Sequence, residues 1–240
     1  MSYQNGGSAV RPEHPRPDFR GRSWLNLNGF WNFKFDDYDQ GEKEGWQRGG
    51  GEFDRKILVP FPFQSKLSGI QDESFHNMVW YQRGFSIPES FSGKRMLLHF
   101  GAVDYETKVW LNGNFLGSHR GGYTPFSFDI TNHVKEENSL VLRVLDAHGD
   151  QPRGKQDANL HPRGCVYMRV TGIWQTVWLE AVGEAYVASV QITPDVDNSK
   201  INVSINLGGE AEGCKVLATV YFNSVEEAKA EGDVKAGSSQ

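Results

Sequence analysis

The 240-residue sequence predicts an all-β protein, a β-sandwich or jelly roll with a second, shorter β region after residue 185. Three observations carry this. Short segments that alternate apolar and polar residues recur at regular spacing, with turn signals between them, as in sandwiches and jelly rolls. No stretch before residue 185 keeps apolar residues at i, i+3, i+4 and i+7 over ten residues, so no amphipathic helix is indicated. Aromatic residues make up 12% of the chain, with seven Trp and fifteen Phe, a composition that suits strands.

Residues 1–22 contain Pro12, Pro15, Pro17 and several arginines and read as an extended arm. FWNFKF (30–35) alternates aromatic with polar and opens the strand series. KILVP (56–60), MVWYQRGFSIP (78–88) and KRMLLHFGAV (94–103) follow, with a turn cluster at 88–93 between the last two. Segments 105–112 and 114–119 flank Asn112-Gly113, the dipeptide a type I′ hairpin turn prefers because both of its central residues need positive φ. Gly-Gly-Tyr-Thr-Pro-Phe (121–126) comes next. Positive φ is expected at Gly121 and Gly122, Pro125 should lead into a strand over 126–131, and Tyr123 and Phe126 should pack. SLVLRVLDA (139–147) and GIWQTVWLEAV (172–182) complete a set of about nine strands. Trp110 and Trp178 stand in alternating segments and are expected in the sandwich core.

His148 to Arg169 breaks the rhythm. It holds two Pro, three Gly and few apolar residues, and long loops of this kind in compact domains are usually functional or disordered. After Glu184 the alternation restarts with YVASVQI, KINVSINL and KVLATVYF. Domains are therefore expected at 23–184 and 185–240. Only 56 residues remain for the second, against about 100 for a whole immunoglobulin-like sandwich. A partial sandwich would leave apolar faces and strand edges open.

Charge and composition exclude several classes. The net charge is −5, the pI is about 5.8 and no Lys/Arg-rich run occurs, so no nucleic-acid partner is expected. There is no 18-residue apolar run, so no membrane helix is expected. The N-terminal residues lack the apolar core of a signal peptide, and the compartment stays open. Cys165 and Cys214 fall on opposite sides of the domain boundary, and two thiols make no metal site. The seven histidines show no ligand spacing. Asp36, Asp37 and Asp39 are expected to form a solvated turn.

The segments VPFPFQSKLSGI (59–70), VWYQRGFSIP (79–88), KVWLNGNFLGSHRGGYTPFSFDIT (108–131) and TGIWQTVWLE (171–180) occur in this order. Over residues 20–184 the chain thereby resembles the N-terminal part of glycoside hydrolase family 2, which includes β-galactosidases, β-glucuronidases and β-mannosidases. The resemblance implies a galactose-binding-like jelly roll, an immunoglobulin-like domain and then a (β/α)₈ barrel with two catalytic glutamates. A retaining glycosidase needs its two carboxyls ~5–5.5 Å apart. In the family the acid/base residue follows an Asn, and this sequence has no Asn-Glu dipeptide. A barrel alone takes ~250 residues. The expected role is the non-catalytic, carbohydrate-binding front of a β-glycosidase, inactive alone and cofactor-free. Its expected partners are a β-glycoside and the catalytic barrel, and homo-oligomerisation is compatible with the sequence. A free-standing carbohydrate-binding module and a purely structural packing module are the alternatives.

Candidate substrate-binding residues lie in the long loop. Arg153, Lys155, Gln156, Tyr167 and Arg169 offer hydrogen bonds to sugar hydroxyls, and Trp174 lies close enough in sequence to offer a ring face. In β-galactosidase and β-glucuronidase relatives an Asp from this region reaches the substrate. Six residues before Gly172, the matching position here is Val166, and Asp157 is out of register.

Overall fold

The computed structural model describes residues 10–19, 22–147 and 151–234. The chain forms two compact units, Met1–Ala181 and Val182–Gln240.

The first unit carries the strands β1 (Ser23–Asn26), β2 (Gly29–Phe35), β3 (Arg55–Val59), β4 (Met78–Ser86), β5 (Arg95–Phe100), β6 (Val103–Asp104), β7 (Glu106–Leu111), β8 (Asn114–Arg120), β9 (Phe126–Asp129), β10 (Glu137–Leu145), β11 (Gly172–Ile173) and β12 (Val177–Val182). A six-stranded sheet runs β3-β2-β4-β10-β7-β8 and a four-stranded sheet runs β1-β12-β5-β9. Between them, side chains from alternate positions form one core. Val79 and Tyr81 of β4 and Leu140, Leu142 and Val144 of β10 meet Leu98 and Phe100 of β5 and Val177 and Leu179 of β12. Burying each such side chain contributes about 1.5–3 kcal/mol. The short pair β6-β11 closes one end.

The same period of two sends the intervening residues to the outer faces. Trp110 lies between Val109 and Leu111, which take the core side, so it joins Trp80, Trp46 and Val141 in a second cluster. Trp178 likewise lies between core residues Val177 and Leu179, and stacks on His99 with ring centroids 4.8 Å apart. Both tryptophans are buried, as expected, but on outer faces rather than between the sheets. Asp36 is no solvated turn residue. Its carboxylate is buried and accepts from Gln40 N at 2.8 Å, Gly41 N at 2.9 Å and Trp80 Nε1 at 2.9 Å.

The Asn112-Gly113 turn has φ of 53° and 81°, as the hairpin requires. Strand β1 is an addition to the expected set, and it pairs with β12 along Ser23↔Ala181 to Asn26↔Trp178. Of the arm, Val10 and Arg11 carbonyls accept from the Asn26 amide, and Phe19 is buried. Residues 1–9, 20 and 21 lie outside the described residues.

The second unit contains β13 (Ala185–Asp195), β14 (Lys200–Gly209), β15 (Lys215–Phe222) and β16 (Val225–Asp233), paired as two hairpins. Here β16 adds a fourth strand to the three expected. Ile192, Tyr221 and Phe222 are each more than 60% exposed. Cys165 and Cys214 are free thiols. Among the described residues no helix is long and apolar enough to cross a membrane.

Candidate functional site

The long loop and the Gly-Gly-Tyr-Thr-Pro-Phe run meet at the β6-β11 end of the first unit. The meeting point is Asp104, the last residue of β6, which is 2% exposed. Its Oδ2 accepts from Gln156 Nε2 at 2.7 Å. Its Oδ1 has no hydrogen-bond partner among the described residues. Gly122 lies directly against this carboxyl, and a Cβ there would stand 2.5 Å from Asp104 Cγ and Oδ1. Of the two glycines only Gly121 needs its positive φ (139°). Gly122 is glycine because Asp104 occupies the space of a side chain.

Burial raises the Asp104 carboxyl to about 6. The Gln156 hydrogen bond lowers it, Asp146 raises it, and Arg169 and Arg153 lower it. The desolvation penalty on a charged form is the usual reason for such a rise.

Gln156 ties three segments together. Its Nε2 also donates to Tyr123 Oη at 3.1 Å, and its Oε1 accepts from Val170 N at 2.6 Å. Tyr123 Oη donates to Arg153 O at 2.7 Å. A parallel bridge between Gln156 and Tyr167 closes the neck of the loop, with Tyr167 N on Lys155 O and Asp157 N on Tyr167 O, both at 2.9 Å. Within the loop, Asp157 caps its own turn by accepting from Asn159 N at 2.9 Å.

Trp174 packs beside this knot. Its Nε1 donates to Gly122 O at 2.7 Å, and its ring meets Tyr123 edge-on with centroids 6.0 Å apart. Tyr123 is 50% exposed, so it does not pack away as the sequence led us to expect. Phe126 does pack, stacked on Phe100 at 4.8 Å and on His119 at 4.2 Å.

Arg169 is buried. It contacts Asp146 Oδ2 at 3.4 Å and donates to Thr171 Oγ1 at 3.2 Å and His76 O at 3.1 Å, and its guanidinium lies over the Phe75 ring. Asp146 in turn accepts from Gln151 Nε2 at 2.6 Å and from the Thr171 hydroxyl. Breaking such a buried charge pair typically costs about 3–5 kcal/mol.

The six sequence candidates therefore divide. Gln156, Arg169 and the Trp174 N–H spend their polar groups inside the protein. Tyr167 is 65% exposed and Lys155 is exposed. The Arg153 carbonyl holds Tyr123, and the Arg153 charge is felt at Asp104. Val166 lies part-buried, with its amide on Arg163 O. The sequence reading missed Asp104, Tyr123 and Phe75. The adjacent glycines at 121 and 122 were the visible trace of Asp104. The arrangement offers aromatic faces and edges beside hydrogen-bonding groups on a braced loop, which suits a polar ligand with apolar ring faces.

Comparison with known proteins fits this geometry. Residues 24–181 match the sequence model of the family described as glycosyl hydrolases family 2, sugar binding domain. A β-galactosidase of Thermoanaerobacter pseudethanolicus is 29% identical over 83% of this chain and 27% of its own length. A β-glucuronidase of Paenibacillus borealis is 30% identical over 73% of the chain and 32% of its own length. The solved β-glucuronidase of Lactobacillus rhamnosus superposes over 88% of this chain and 37% of its own, with 27% identity and a TM-score of 0.69. A Ruminococcus gnavus β-glucuronidase in complex with D-glucaro-d-lactam shares the fold at a TM-score of 0.73, with 20% identity over 88% of this chain and 38% of its own. The chain thus spans about three-tenths of the length of the curated relatives it matches.

Proposed function

Because the chain belongs to glycosyl hydrolase family 2 through that family's sugar-binding domain, we propose that it is the carbohydrate-binding, non-catalytic front of a β-glycosidase. The observation that carries this is the half-exposed Tyr123 beside Trp174, both fixed by the Asp104–Gln156 knot. A sugar ring presents C–H groups to an aromatic face and hydroxyls to the groups around it. Tyr123, Tyr167 and Lys155 contact the sugar. Gln156, Arg169 and Asp104 are positioning residues that hold the loop in its binding conformation, and holding it before the ligand arrives lowers the ordering cost of binding. Bond cleavage falls to the part of the relatives that this chain does not match.

The exposed apolar residues of the second unit favour a region that packs against further protein over a free-standing module. Incubation of the pure chain with chromogenic β-galactoside, β-glucuronide and β-mannoside should give no turnover. Calorimetric titration with the corresponding methyl glycosides should give weak, roughly millimolar binding. Turnover would overturn the non-catalytic role, and titrations without heat would overturn the carbohydrate role.

A further inference from the structure

The Asp104 carboxyl is enclosed by the two segments that carry the proposed site. Gly122 lies against it on one side, where a Cβ would stand 2.5 Å from Cγ. Gln156 of the long loop meets it on the other, through Nε2 at 2.7 Å. Asp104 itself belongs to the sheet, since it pairs with Gly172 as the last residue of β6. The carboxyl is thus fixed by a strand while its cover is made of loops.

This enclosure treats the two protonation states differently. An ionised carboxylate offers about four acceptor positions. Here one side-chain donor reaches Oδ2, and none among the described residues reaches Oδ1. A charge buried with so few donors is costly, whereas the neutral acid is tolerated. The groups around it do not reverse this. Asp146, after β10, repels the charge, and Arg169 and Arg153 of the loop attract it, but Arg169 is also engaged by Asp146 at 3.4 Å. Tyr123 Oη is occupied by Gln156 and Arg153 O. Tyr81 of β4 lies against Gly172, and burial pushes its hydroxyl up, so it stays neutral. His119 of β8 stands beside Gly121 and meets Thr124 Oγ1 at 3.2 Å, and burial holds its imidazole below the usual value.

We propose that Asp104 is a proton-operated latch on the sugar-binding loop: protonated, it lets the loop close over it in the binding conformation, and ionised, it favours an open loop in which water reaches the carboxyl. It rests on the reading that carbohydrate binds beside Tyr123. In the closed state burial puts this carboxyl at about 6, and in the open state it returns toward 3.8. Closing is therefore strongest below 3.8, weakens as pH rises and is weakest above about 6, by ~100-fold across the window. The closed fraction sets the apparent affinity for sugar.

The test is hydrogen exchange and calorimetric sugar titration of the 240-residue chain at pH 4 and pH 7. Gln156 Oε1 holds the Val170 amide. Its protection, corrected for intrinsic exchange, should fall by ~100-fold between the two. Dilute urea should leave that value unchanged, because opening a loop exposes little surface. Methyl β-galactoside should bind at least ~3-fold more weakly at pH 7. Asp104→Asn, which cannot ionise, should give one protection and one affinity at both pH values, while His119→Gln keeps the wild-type response. Wild type alone supplies a second readout: Val170 protection should level off at the pH where the Asp104 ¹³Cγ resonance titrates. Protection independent of pH, a dependence that survives in Asp104→Asn or vanishes in His119→Gln, or levelling off at another pH overturns the latch. Protection that follows Asp104 while sugar affinity stays equal overturns its control of binding. Titrations without heat at both pH values overturn the carbohydrate reading instead, since Val170 protection reports the latch without sugar.

Discussion

Replacing Asp104 by Asn should change how the stability of the first unit depends on pH. Burial raises this carboxyl from 3.8 to about 6, the Gln156 hydrogen bond and the Arg169 and Arg153 charges only partly opposing it. Between those two values the folded protein keeps a proton that the unfolded chain has released, so stability falls as pH rises. The contribution is full below 3.8 and gone above about 6. The gap from 3.8 to about 6 is worth ~3 kcal/mol at ~1.36 kcal/mol for each pH unit. The amide that replaces the carboxyl does not titrate, and every other group is common to the two proteins. The unfolding free energy of wild type minus that of Asp104→Asn should therefore drop by ~3 kcal/mol from below pH 3.8 to above pH 6. Urea unfolding followed by tryptophan fluorescence measures it, with linear extrapolation at each pH. All seven tryptophans lie before residue 181, so the signal reports the first unit alone. Parallel stability profiles for the two proteins would refute the reasoning.

Gly122→Ala places a Cβ 2.5 Å from the Asp104 carboxyl and should cost about 1–3 kcal/mol by overpacking, read from the same urea transition. Glu180 is fully buried and contacts Arg22 at 2.6 Å. Burial pushes its carboxyl up, but His99, Arg22 and the Trp178 N–H more than offset this and hold it at about 2. Its contribution is thus present above 4.5 and lost as pH falls through about 2. Glu180→Gln should be ~3 kcal/mol less stable than wild type at neutral pH, with the gap closing across that acid window. Tyr123→Phe removes the hydroxyl shared by Arg153 and Gln156. It should cost ~1 kcal/mol and speed hydrogen exchange at the Val170 amide, which Gln156 holds.

The strands were legible because a half-buried strand writes a period of two into the sequence, and Asn112-Gly113 announces its own turn. Two strands were not. SWLN is only four residues long, and VEEAKAEGD carries charges and alanines that no propensity assigns to a strand; each is supplied by a partner, β12 and β15. Alternation also shows that Trp110 and Trp178 share a face with their i±2 neighbours, but not which face meets the second sheet. At the site, composition picked out the loop but not its internal commitments. Gln156 meets Asp104 across 52 positions, and Arg169 meets His76 across 93. Contacts that distant leave no local pattern, so the sequence does not show that Gln156 and Arg169 hydrogen-bond within the protein, nor that Tyr123, expected to pack, is half exposed.

The central claim is that carbohydrate binds at the Asp104 end of the first unit. It is tested most directly by where a bound sugar sits. With methyl β-galactoside added to the ¹⁵N-labelled chain, the account predicts saturable shifts at the Trp174 indole N–H and at amides of 121–126 and 153–169. Shifts confined to residues 182–234, or a spectrum unchanged up to the solubility limit of the sugar, would contradict it.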